Sequence, residues 1–415
     1  MSIKNILIVC WDFPPNKAIG GRRWAKMTKS FLKLNYHISV IANLAKHQKQ
    51  QKISWISKEE FEKINLHQLP AHFLVNWLND YLSPIRFFKI RLAKYLLSFF
   101  YTGTVFDKAI GVEKEFIRLA SKVIKEKKIE TIFVTGAPFN LIYYTAKLKV
   151  NFPSIKIVAD YRDPWIKAQN YGMKGLTAKR KEMEIQKQNY VFEKVNYITA
   201  PNYFLLDEIK NSYSGKKSKI AKFIELPHAF DPEDVVNNKV FQKEKNKIKI
   251  VYAGTLYIGI DKYLKLLNEA ISYVNKKVRD TQMELFIYTD DIIKKDIFDD
   301  NKDCVFFSKP IGDLIFDKIS EADFILILLS EHNKNYLTSK FFEFLPYKKP
   351  FIYLGPNGYV SDKIENEMLG VHLKEVKSLN EIIQKPIQEI FKSQEIDKYT
   401  FDQVAKNLVF NISLD

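Results

Sequence analysis

Short apolar runs of strand length alternate with helix-length segments along this 415-residue chain, and the alternation constrains its fold more than any other feature. The run ILIV lies near the N-terminus, and comparable runs recur at residues 131–135, 248–253, 324–329 and 351–354. Strands that alternate with helices form parallel sheets covered by helices on both faces. The sequence therefore predicts an α/β fold made of doubly wound, Rossmann-like parallel-sheet domains.

A polar, lysine-rich stretch at 227–247 interrupts this alternation and reads as a linker. We expect an N-terminal domain at 1–226, with an aromatic and basic insertion at about 45–105. A C-terminal domain is expected at 248–395, followed by a final helix within 396–415. Two such domains are expected to face a central cleft, which makes a ligand-binding protein the natural interpretation.

The net charge and the two cysteines limit the partners and the cellular location that can be expected for this chain. The net charge of +17 suits an anionic substrate, an anionic membrane surface or nucleic acid. The lysines are scattered and no nucleic-acid-binding module is recognisable, so nucleic acid is not expected as a partner. Both cysteines lie in strand-like runs, which favours a reducing, cytoplasmic location over a disulfide framework. No membrane span, signal peptide or metal site is expected from the sequence.

Residues 85–101 are predicted to form a basic amphipathic helix within the insertion. One face would carry apolar side chains at helical spacing: Ile85, Phe88, Leu92, Tyr95, Leu96 and Phe99. Basic side chains fan over the rest of the helix: Arg86, Lys89, Arg91 and Lys94. Such a helix can lie on the anionic surface of a membrane. It can equally pack its apolar face on its own domain, and the sequence leaves both interpretations open.

The stretch 326–354 reads as a strand, a polar loop, a short helix and a second strand. Thr338 or Ser339 can cap a helix that starts near Lys340, and Glu343 lies three residues further on, on the same face. Free N–H groups at a helix start suit a phosphate. We expect a nucleotide to bind here, although an ordinary helix–strand connection with a surface ion pair has the same pattern.

Three further loops follow predicted strands and carry candidate site residues. After the first strand, Gly20 and Gly21 would admit close backbone approach of a ligand, and Arg22 opens the next helix. This loop lacks the GxGxxG spacing of a dinucleotide fingerprint. A plain strand–helix turn with solvent-facing arginines is the alternative.

The segment DYRDPW, at 160–165, places three charges in four positions beside a tryptophan. We expect Asp163 to contact an acceptor or a transferred group, with Arg162 orienting it. The alternative is that Asp160 and Arg162 pair with each other to fix the loop.

The glycine turn GTLYIG follows the first strand of the second half of the chain. Gly254 and Thr255 would direct backbone N–H groups toward a diphosphate, with Lys262 as a nearby cation. A surface lysine at a helix start is the alternative for Lys262.

Four segments together resemble bacterial glycosyltransferases of the GT-B fold, of the family-four type that builds surface polysaccharides. They are ILIVCWDFPPNKAIGGRRW, VTGAPFN with VADYRDPW, IELPHAFDPED with IVYAGTLY, and LTSKFFEFLPYKKPFIYL. They occur in the family's order and cover most of the chain. The resemblance implies a GT-B architecture in which the C-terminal helix crosses back to the N-terminal domain.

The resemblance also implies roles for individual residues. The glycine loop at Gly20 would approach the donor, Glu343 would bind the ribose hydroxyls, and Lys340 would neutralise the leaving diphosphate. Two positions depart from the family: Thr255 stands where an arginine is frequent, and Asn335 stands where many relatives have a second glutamate. Positive charge at the donor phosphates would then depend on Lys262 and Lys340.

The expected function is therefore transfer of a hexose-type sugar from a nucleotide-diphosphate sugar to a lipid-linked or polysaccharide acceptor. The resemblance implies retention of configuration, and we expect no metal and no cofactor beyond the donor. Peripheral contact with the inner membrane face is a further expectation. Two alternatives remain: a nucleotide-sugar epimerase of the same fold, and an inactive binding subunit of a polysaccharide assembly complex.

Overall fold

The computed structural model describes residues 4–16, 19–43, 55–78, 83–168, 171–218, 220–235, 246–278, 282–290 and 295–413. These residues form two compact units. The first unit comprises 1–227 together with 404–415, and the second comprises 228–403.

The first unit is built on a parallel sheet that has seven strands in the described part of the chain. The strands are β1 (Asn5–Val9), β2 (His37–Ala42), β3 (Asn65–Gln68), β4 (Thr131–Gly136), β5 (Lys156–Tyr161), β6 (Tyr197–Ala200) and β7 (Lys222–Glu225). Their order across the sheet is β3-β2-β1-β4-β5-β6-β7, so the winding direction reverses between β1 and β4. Such a switch point leaves a crevice at the carboxyl ends of the strands, which is where open α/β sheets bind ligands.

Helices cover this sheet and bury its central strands. They are α1 (Arg22–Lys33), α2 (Lys58–Glu62), α3 (Phe73–Leu78), α4 (Arg86–Phe100), α5 (Glu113–Lys127), α6 (Phe139–Lys147), α7 (Ala178–Lys194) and α8 (Tyr203–Asn211). Side chains of Ser57, Thr177 and Asn202 cap the starts of α2, α7 and α8. The alternation of strands and helices predicted from the sequence is thus confirmed for this unit.

The insertion at about 45–105 is more regular than its sequence suggests. Strand β3 pairs with β2 at the sheet edge, and α2 and α3 flank it. Its sequence, NLHQ, has no apolar periodicity, because an edge strand is held by its backbone ladder to β2 rather than by buried side chains. Residues 44–54 and 79–82 of the insertion lie outside the described residues.

The second unit contains a parallel sheet with six strands among its described residues. The strands are β8 (Lys247–Ala253), β9 (Gln282–Tyr288), β10 (Val305–Ser308), β11 (Phe324–Leu328), β12 (Phe351–Leu354) and β13 (Gly370–His372). Their order is β10-β9-β8-β11-β12-β13. The short strand β13 was not predicted, since GVH is too brief to show a pattern.

The helices of this unit are α9 (Asp261–Lys277), α10 (Ile315–Glu321), α11 (Ser339–Phe344), α12 (Tyr359–Asn366), α13 (Ser378–Gln384) and α14 (Ile387–Ile390). The sequence of residues 379–391 predicts one continuous helix, but the structure has two, α13 and α14. Pro386 divides them, because the residue before a proline is forced out of the helical region, and Lys385 is extended at φ −71°, ψ 141°.

The last helix, α15 (Phe401–Ser413), ends in the first unit, to which residues 404–415 belong. Lys156 Nζ and the Tyr197 hydroxyl both donate to the carbonyl of Ile412, at 2.8 and 3.5 Å. Of the linker predicted at 227–247, residues 236–245 lie outside the described part, and 228–235 belong to the second unit. Among the described helices, none has the length and apolar character needed to cross a membrane.

Candidate functional site

In the first unit, Arg162 joins the loops that follow three strands at the carboxyl edge of the sheet. Its guanidinium donates to the carbonyl of Gly136 at 3.1 Å, of Ala137 at 3.1 Å and of Gly20 at 3.0 Å. These carbonyls belong to the ends of β4 and of the loop after β1, and Arg162 itself follows β5. The arginine therefore fixes the crevice at the switch point, where the sequence predicted a site.

The two glycines of the β1 loop serve the packing of that loop. A Cβ on Gly21 would lie 2.6 Å from the carbonyl oxygen of Asp12, and one on Gly20 would lie 3.2 Å from the Asp12 carboxylate. The loop thus folds back tightly on Asp12, whose carboxylate also accepts from the Asn16 side chain at 2.9 Å. Asp12 was not predicted as part of this edge. Residues 17 and 18 of the predicted loop lie outside the described residues.

Asp160 is a structural residue, and its predicted pairing with Arg162 is wrong. Its carboxylate is completely buried, forms an ion pair with Arg23 Nε at 3.3 Å and accepts from Trp24 Nε1 at 2.8 Å. Thr199 also donates to it, at 2.9 Å. The pairing locks the start of α1 to β5.

Both arginines that open α1 are withdrawn from solvent to some degree. Arg23 is buried and donates to the carbonyls of Leu226 and Pro227, at 2.6 and 3.0 Å. Burial lowers the pKa of its guanidinium, and the charge of Asp160 opposes that change. Arg22 is half-buried at the first position of the helix. The alternative of two solvent-facing arginines is therefore wrong.

Asp163 lies beside Arg162 and remains partly accessible. The Tyr171 hydroxyl donates to its carboxylate at 3.3 Å. Desolvation raises the pKa of Asp163, while the charge of Arg162 and the hydrogen bond from Tyr171 lower it. A carboxyl group held in this balance, at the ligand edge of the sheet, can accept a hydrogen bond from a substrate hydroxyl.

Glu184, on α7, holds the segment after α4 against the DYRDPW loop, and sequence reasoning missed it. This buried carboxylate accepts from the backbone N–H of Thr104 at 2.9 Å and from Trp165 Nε1 at 2.8 Å. Lys187 pairs with it at 3.1 Å. The only sequence signal was an acidic residue in a polar helix, which is indistinguishable from a solvated position.

In the second unit, Lys340 reaches the carboxyl end of β8. Its ammonium donates to the carbonyl of Ala253 at 3.1 Å, directly before the glycine turn. The pKa of Lys340 is lowered, chiefly by desolvation, and the carboxylates of Glu343 and Asp290 oppose that change. The structure thus brings together the two segments of this unit that the sequence singled out, the turn at Gly254 and the start of α11.

Of the two backbone N–H groups predicted to face a diphosphate, those of Gly254 and Thr255, only one is available. The N–H of Gly254 donates to the Tyr288 carbonyl at 3.1 Å, so the prediction that it is available is wrong. The N–H groups of Thr255, Ser339 and Lys340 have no acceptor among the described residues. Thr338 occupies the N-cap position without a side-chain hydrogen bond. Within the described part of the chain, three backbone donors without an acceptor therefore accompany the Lys340 ammonium.

The remaining predicted residues differ in accessibility. Glu343 is half-exposed on α11, three residues beyond Lys340. Lys262 is exposed; its ammonium lies 3.9 Å from the Glu331 carboxylate and over the ring of Tyr263. Asn335 accepts from the N–H of Tyr359 at 3.1 Å and so supports the start of α12. No group of three or more potential metal-ligating side chains occurs within the described ranges.

Helix α4 presents an aromatic surface that is exposed among the described residues. Its buried contacts are made by Ala93 and Leu97, which pack with Leu74 and Val75. The face predicted to be apolar is largely exposed. Side chains with exposed fractions between 56% and 84% are Ile85, Phe87, Phe88, Tyr95, Phe99 and Phe100. Of the face predicted to be apolar, Leu96 packs against the buried cluster, whereas Ile85, Phe88, Tyr95 and Phe99 are exposed, so the face packs on its own domain only in part.

Comparison with solved structures decides the fold. The E. coli trehalose-6-phosphate structure bound with UDP-2-fluoro glucose matches with a TM-score of 0.61 at 10% identity, covering 99% of each chain. The chain has the GT-B fold. Sucrose-phosphate synthase from Thermosynechococcus elongatus matches with a TM-score of 0.59 at 11% identity, covering 99% of this chain and 98% of that one.

A third GT-B structure is the lipopolysaccharide outer core galactosyltransferase WaaB in its apo form. It matches with a TM-score of 0.56 at 12% identity, covering 99% of both chains. No protein-family model matches the sequence, and no curated protein matches it either. The likeness is therefore one of fold, found at sequence identities of 10–12%.

Proposed function

We propose that this GT-B protein is a glycosyltransferase that moves a sugar from a nucleotide-diphosphate sugar to a lipid-linked or polysaccharide acceptor. The observation that carries the proposal is the placement of the Lys340 ammonium at the end of β8, 3.1 Å from the Ala253 carbonyl. Solved GT-B neighbours support it, since they include transferases and one structure bound with UDP-2-fluoro glucose.

The donor diphosphate would bind at the start of α11. The N–H groups of Ser339 and Lys340 and the nearby N–H of Thr255 lack described acceptors, and phosphate oxygens are acceptors only. The Lys340 ammonium adds a positive charge where negative charge accumulates as the sugar–phosphate bond breaks. One preorganised charge of this kind stabilises a transition state by roughly 3 kcal/mol. Glu343 would accept hydrogen bonds from the ribose hydroxyls.

The transferred sugar and the acceptor would meet the first unit at Asp163. Its partly desolvated carboxylate accepts from Tyr171 and has capacity for a further donor, such as a sugar hydroxyl. Arg162 positions it by tying the three loops together. In a retaining, metal-independent transfer the leaving phosphate would take the acceptor proton, so Asp163 need not act as the base.

Helix α4 would bring the protein to an anionic membrane surface. Exposed Arg91 and Lys94 lie among its exposed aromatic side chains, which is the combination that binds headgroups and inserts at the interface. The acceptor would then be a lipid-linked saccharide, presented at that surface.

The donor site can be tested by substituting Lys340 and Glu343. A thermal-shift screen first identifies the nucleotide sugar that stabilises the protein, because a ligand that binds only the folded state raises the unfolding temperature. We expect Lys340→Ala to lower turnover of that sugar by about 100-fold. Glu343→Ala should weaken binding of the corresponding nucleoside diphosphate, measured by calorimetry.

The matched controls are Lys265→Ala and Glu269→Ala, which remove the same charges from exposed positions on α9. They should leave turnover and binding unchanged. If the Lys340 and Glu343 variants behave like these controls, the start of α11 is not the donor site. A product whose sugar is epimerised rather than transferred would replace the transferase with an epimerase.

A further inference from the structure

A cavity lined by basic side chains lies beside the aromatic face of α4. It is an open cavity of about 310 Å³ between α4, the segment 103–106, the loop 172–176 and the start of α7. Three cationic residues line it: Lys94, Lys174 and Arg180. We call this space the basic cavity. It lies within the first unit, and none of the residues assigned to donor binding lines it.

The lining of the basic cavity is positively charged, and the carboxylate that lies close behind it, Glu184 at Gly103, is already paired with Lys187. The lining itself contains no carboxylate, and no described carboxylate forms an ion pair with any of the three cations. Lys94 instead lies over the ring of Phe106, 5.0 Å from the ring centroid. Neighbouring like charges repel one another, so an anion bound between them would be stabilised by all three.

Arg180 gives the basic cavity a fixed donor. Its guanidinium is half-buried and donates to the carbonyls of Ser98 and Gly103, which hold it in place. A guanidinium carries five N–H groups in a planar fork, so donors remain for a ligand. Fixed forks of this type match the oxygens of a phosphate, while the two lysines contribute mobile charges.

The surroundings of the basic cavity indicate what carries the phosphate. Tyr95 and Phe106 form part of its wall and are themselves 66% and 50% exposed. They continue into the exposed aromatic side chains at the end of α4, Phe99 and Phe100. A ligand with an anionic head and an apolar tail would satisfy both surfaces at once.

We propose that the basic cavity binds the terminal phosphate of a membrane lipid, with the acyl or prenyl chain lying along the aromatic face of α4. This assignment rests on the proposed function only in taking α4 as the membrane-facing helix. It adds a headgroup preference that general electrostatic attraction to a membrane does not produce.

The test compares two anionic membranes of equal surface potential. Vesicles of phosphatidylcholine contain either phosphatidic acid, whose phosphate is a terminal monoester, or phosphatidylserine, whose phosphate is a diester. We expect the unaltered protein to prefer the phosphatidic acid vesicles in flotation assays. The variant Lys94→Gln/Lys174→Gln should bind both kinds of vesicle more weakly, because Lys94 also faces the membrane surface, but its loss on phosphatidic acid vesicles should exceed its loss on phosphatidylserine vesicles by about tenfold.

The control variant is Lys179→Gln/Lys181→Gln, which removes the same charge from exposed positions of α7 outside the cavity lining. It should retain the preference for phosphatidic acid. Arg180 is left unaltered because it supports the backbone at Ser98 and Gly103. Equal losses on both kinds of vesicle in the cavity variant would overturn the proposal, as would the absence of any preference in the unaltered protein.

A third arm separates a lipid headgroup from a soluble phosphate. Inorganic phosphate and glycerol 3-phosphate are titrated into the protein without vesicles. Binding as tight as that of the vesicles, and equally sensitive to the cavity variant, would assign the basic cavity to a soluble ligand and contradict the lipid assignment. Nucleoside-diphosphate binding measured on the same samples reports on the proposed transferase function, so the two proposals can fail separately.

Discussion

At the scale of single residues, the charges of the DYRDPW segment divide into structural and accessible ones. Asp160 points into the unit and neutralises Arg23, whereas Arg162 and Asp163 lie at the ligand edge of the sheet. The sequence shows all three as one charged cluster. Which carboxylate is buried depends on the strand register of β5 and on α1, a partner about 140 positions away in the chain.

The buried pair supplies a stability prediction. Replacing Asp160 by Ala leaves Arg23 buried without its carboxylate, and such uncompensated charges destabilise a protein by about 3–5 kcal/mol. We expect urea unfolding to shift to a correspondingly lower midpoint. Asp163→Ala, which removes the same group from an accessible position, should shift it much less.

The double variant Arg23→Met/Asp160→Leu removes both charges and should recover much of the loss. If Asp160→Ala unfolds at the same urea concentration as the unaltered protein, the Arg23–Asp160 pair does not stabilise the first unit. In that case Asp160 would become a candidate for a functional role.

At the scale of elements, α4 departs most from the pattern of a globular protein. A helix normally turns its apolar stripe to the core, but α4 buries only Ala93 and Leu97 and exposes most of its aromatic rings. Large exposed apolar patches on soluble proteins usually mark interaction surfaces. The accompanying lysines and arginines favour an anionic membrane over a protein partner.

Vesicle binding tests this interpretation of α4. We expect Phe87→Ser/Phe99→Ser to weaken binding to anionic vesicles by about 30-fold or more, since each inserted aromatic side chain contributes on the order of 1–2 kcal/mol and 1.4 kcal/mol is tenfold. Tyr203→Ser, an exposed aromatic residue on α8, is the control and should bind as the unaltered protein does. Unchanged flotation of the α4 variant would leave the aromatic face to a different partner.

Buried strands and edge strands differ in how well the sequence predicts them. The buried strands β1, β4, β8, β11 and β12 were predicted nearly to the residue, because their apolar runs are set by the core itself. The edge strands β3 and β13 were missed, since backbone pairing with a neighbour creates them without a side-chain pattern.

Parts of the candidate site escaped prediction for a similar reason. The contact between Lys340 and the end of β8 joins segments 87 positions apart, and the spacing of the chain predicts only that both lie at strand ends. The Gly254 N–H donates to the Tyr288 carbonyl, and the buried Glu184 accepts from Trp165. Both contacts depend on neighbours that the sequence does not identify.

At the scale of the whole molecule, a fold shared with known transferases persists at sequence identities near 10%. This is physically reasonable, because a doubly wound sheet requires apolar strands of the right length rather than particular side chains. Individual side chains can therefore differ widely between proteins that share this fold. The net charge of +17 would aid both partners proposed here, since nucleotide sugars and inner-membrane lipids are anionic.

The most direct test of the central claim is a crystal structure of this protein with UDP or GDP bound. We predict that the diphosphate lies in the second unit at the start of α11. Its oxygens should be within hydrogen-bond reach of Lys340 Nζ and of the Ser339 N–H, and the ribose should lie at Glu343. A nucleotide bound elsewhere, with the start of α11 unoccupied, would contradict this prediction.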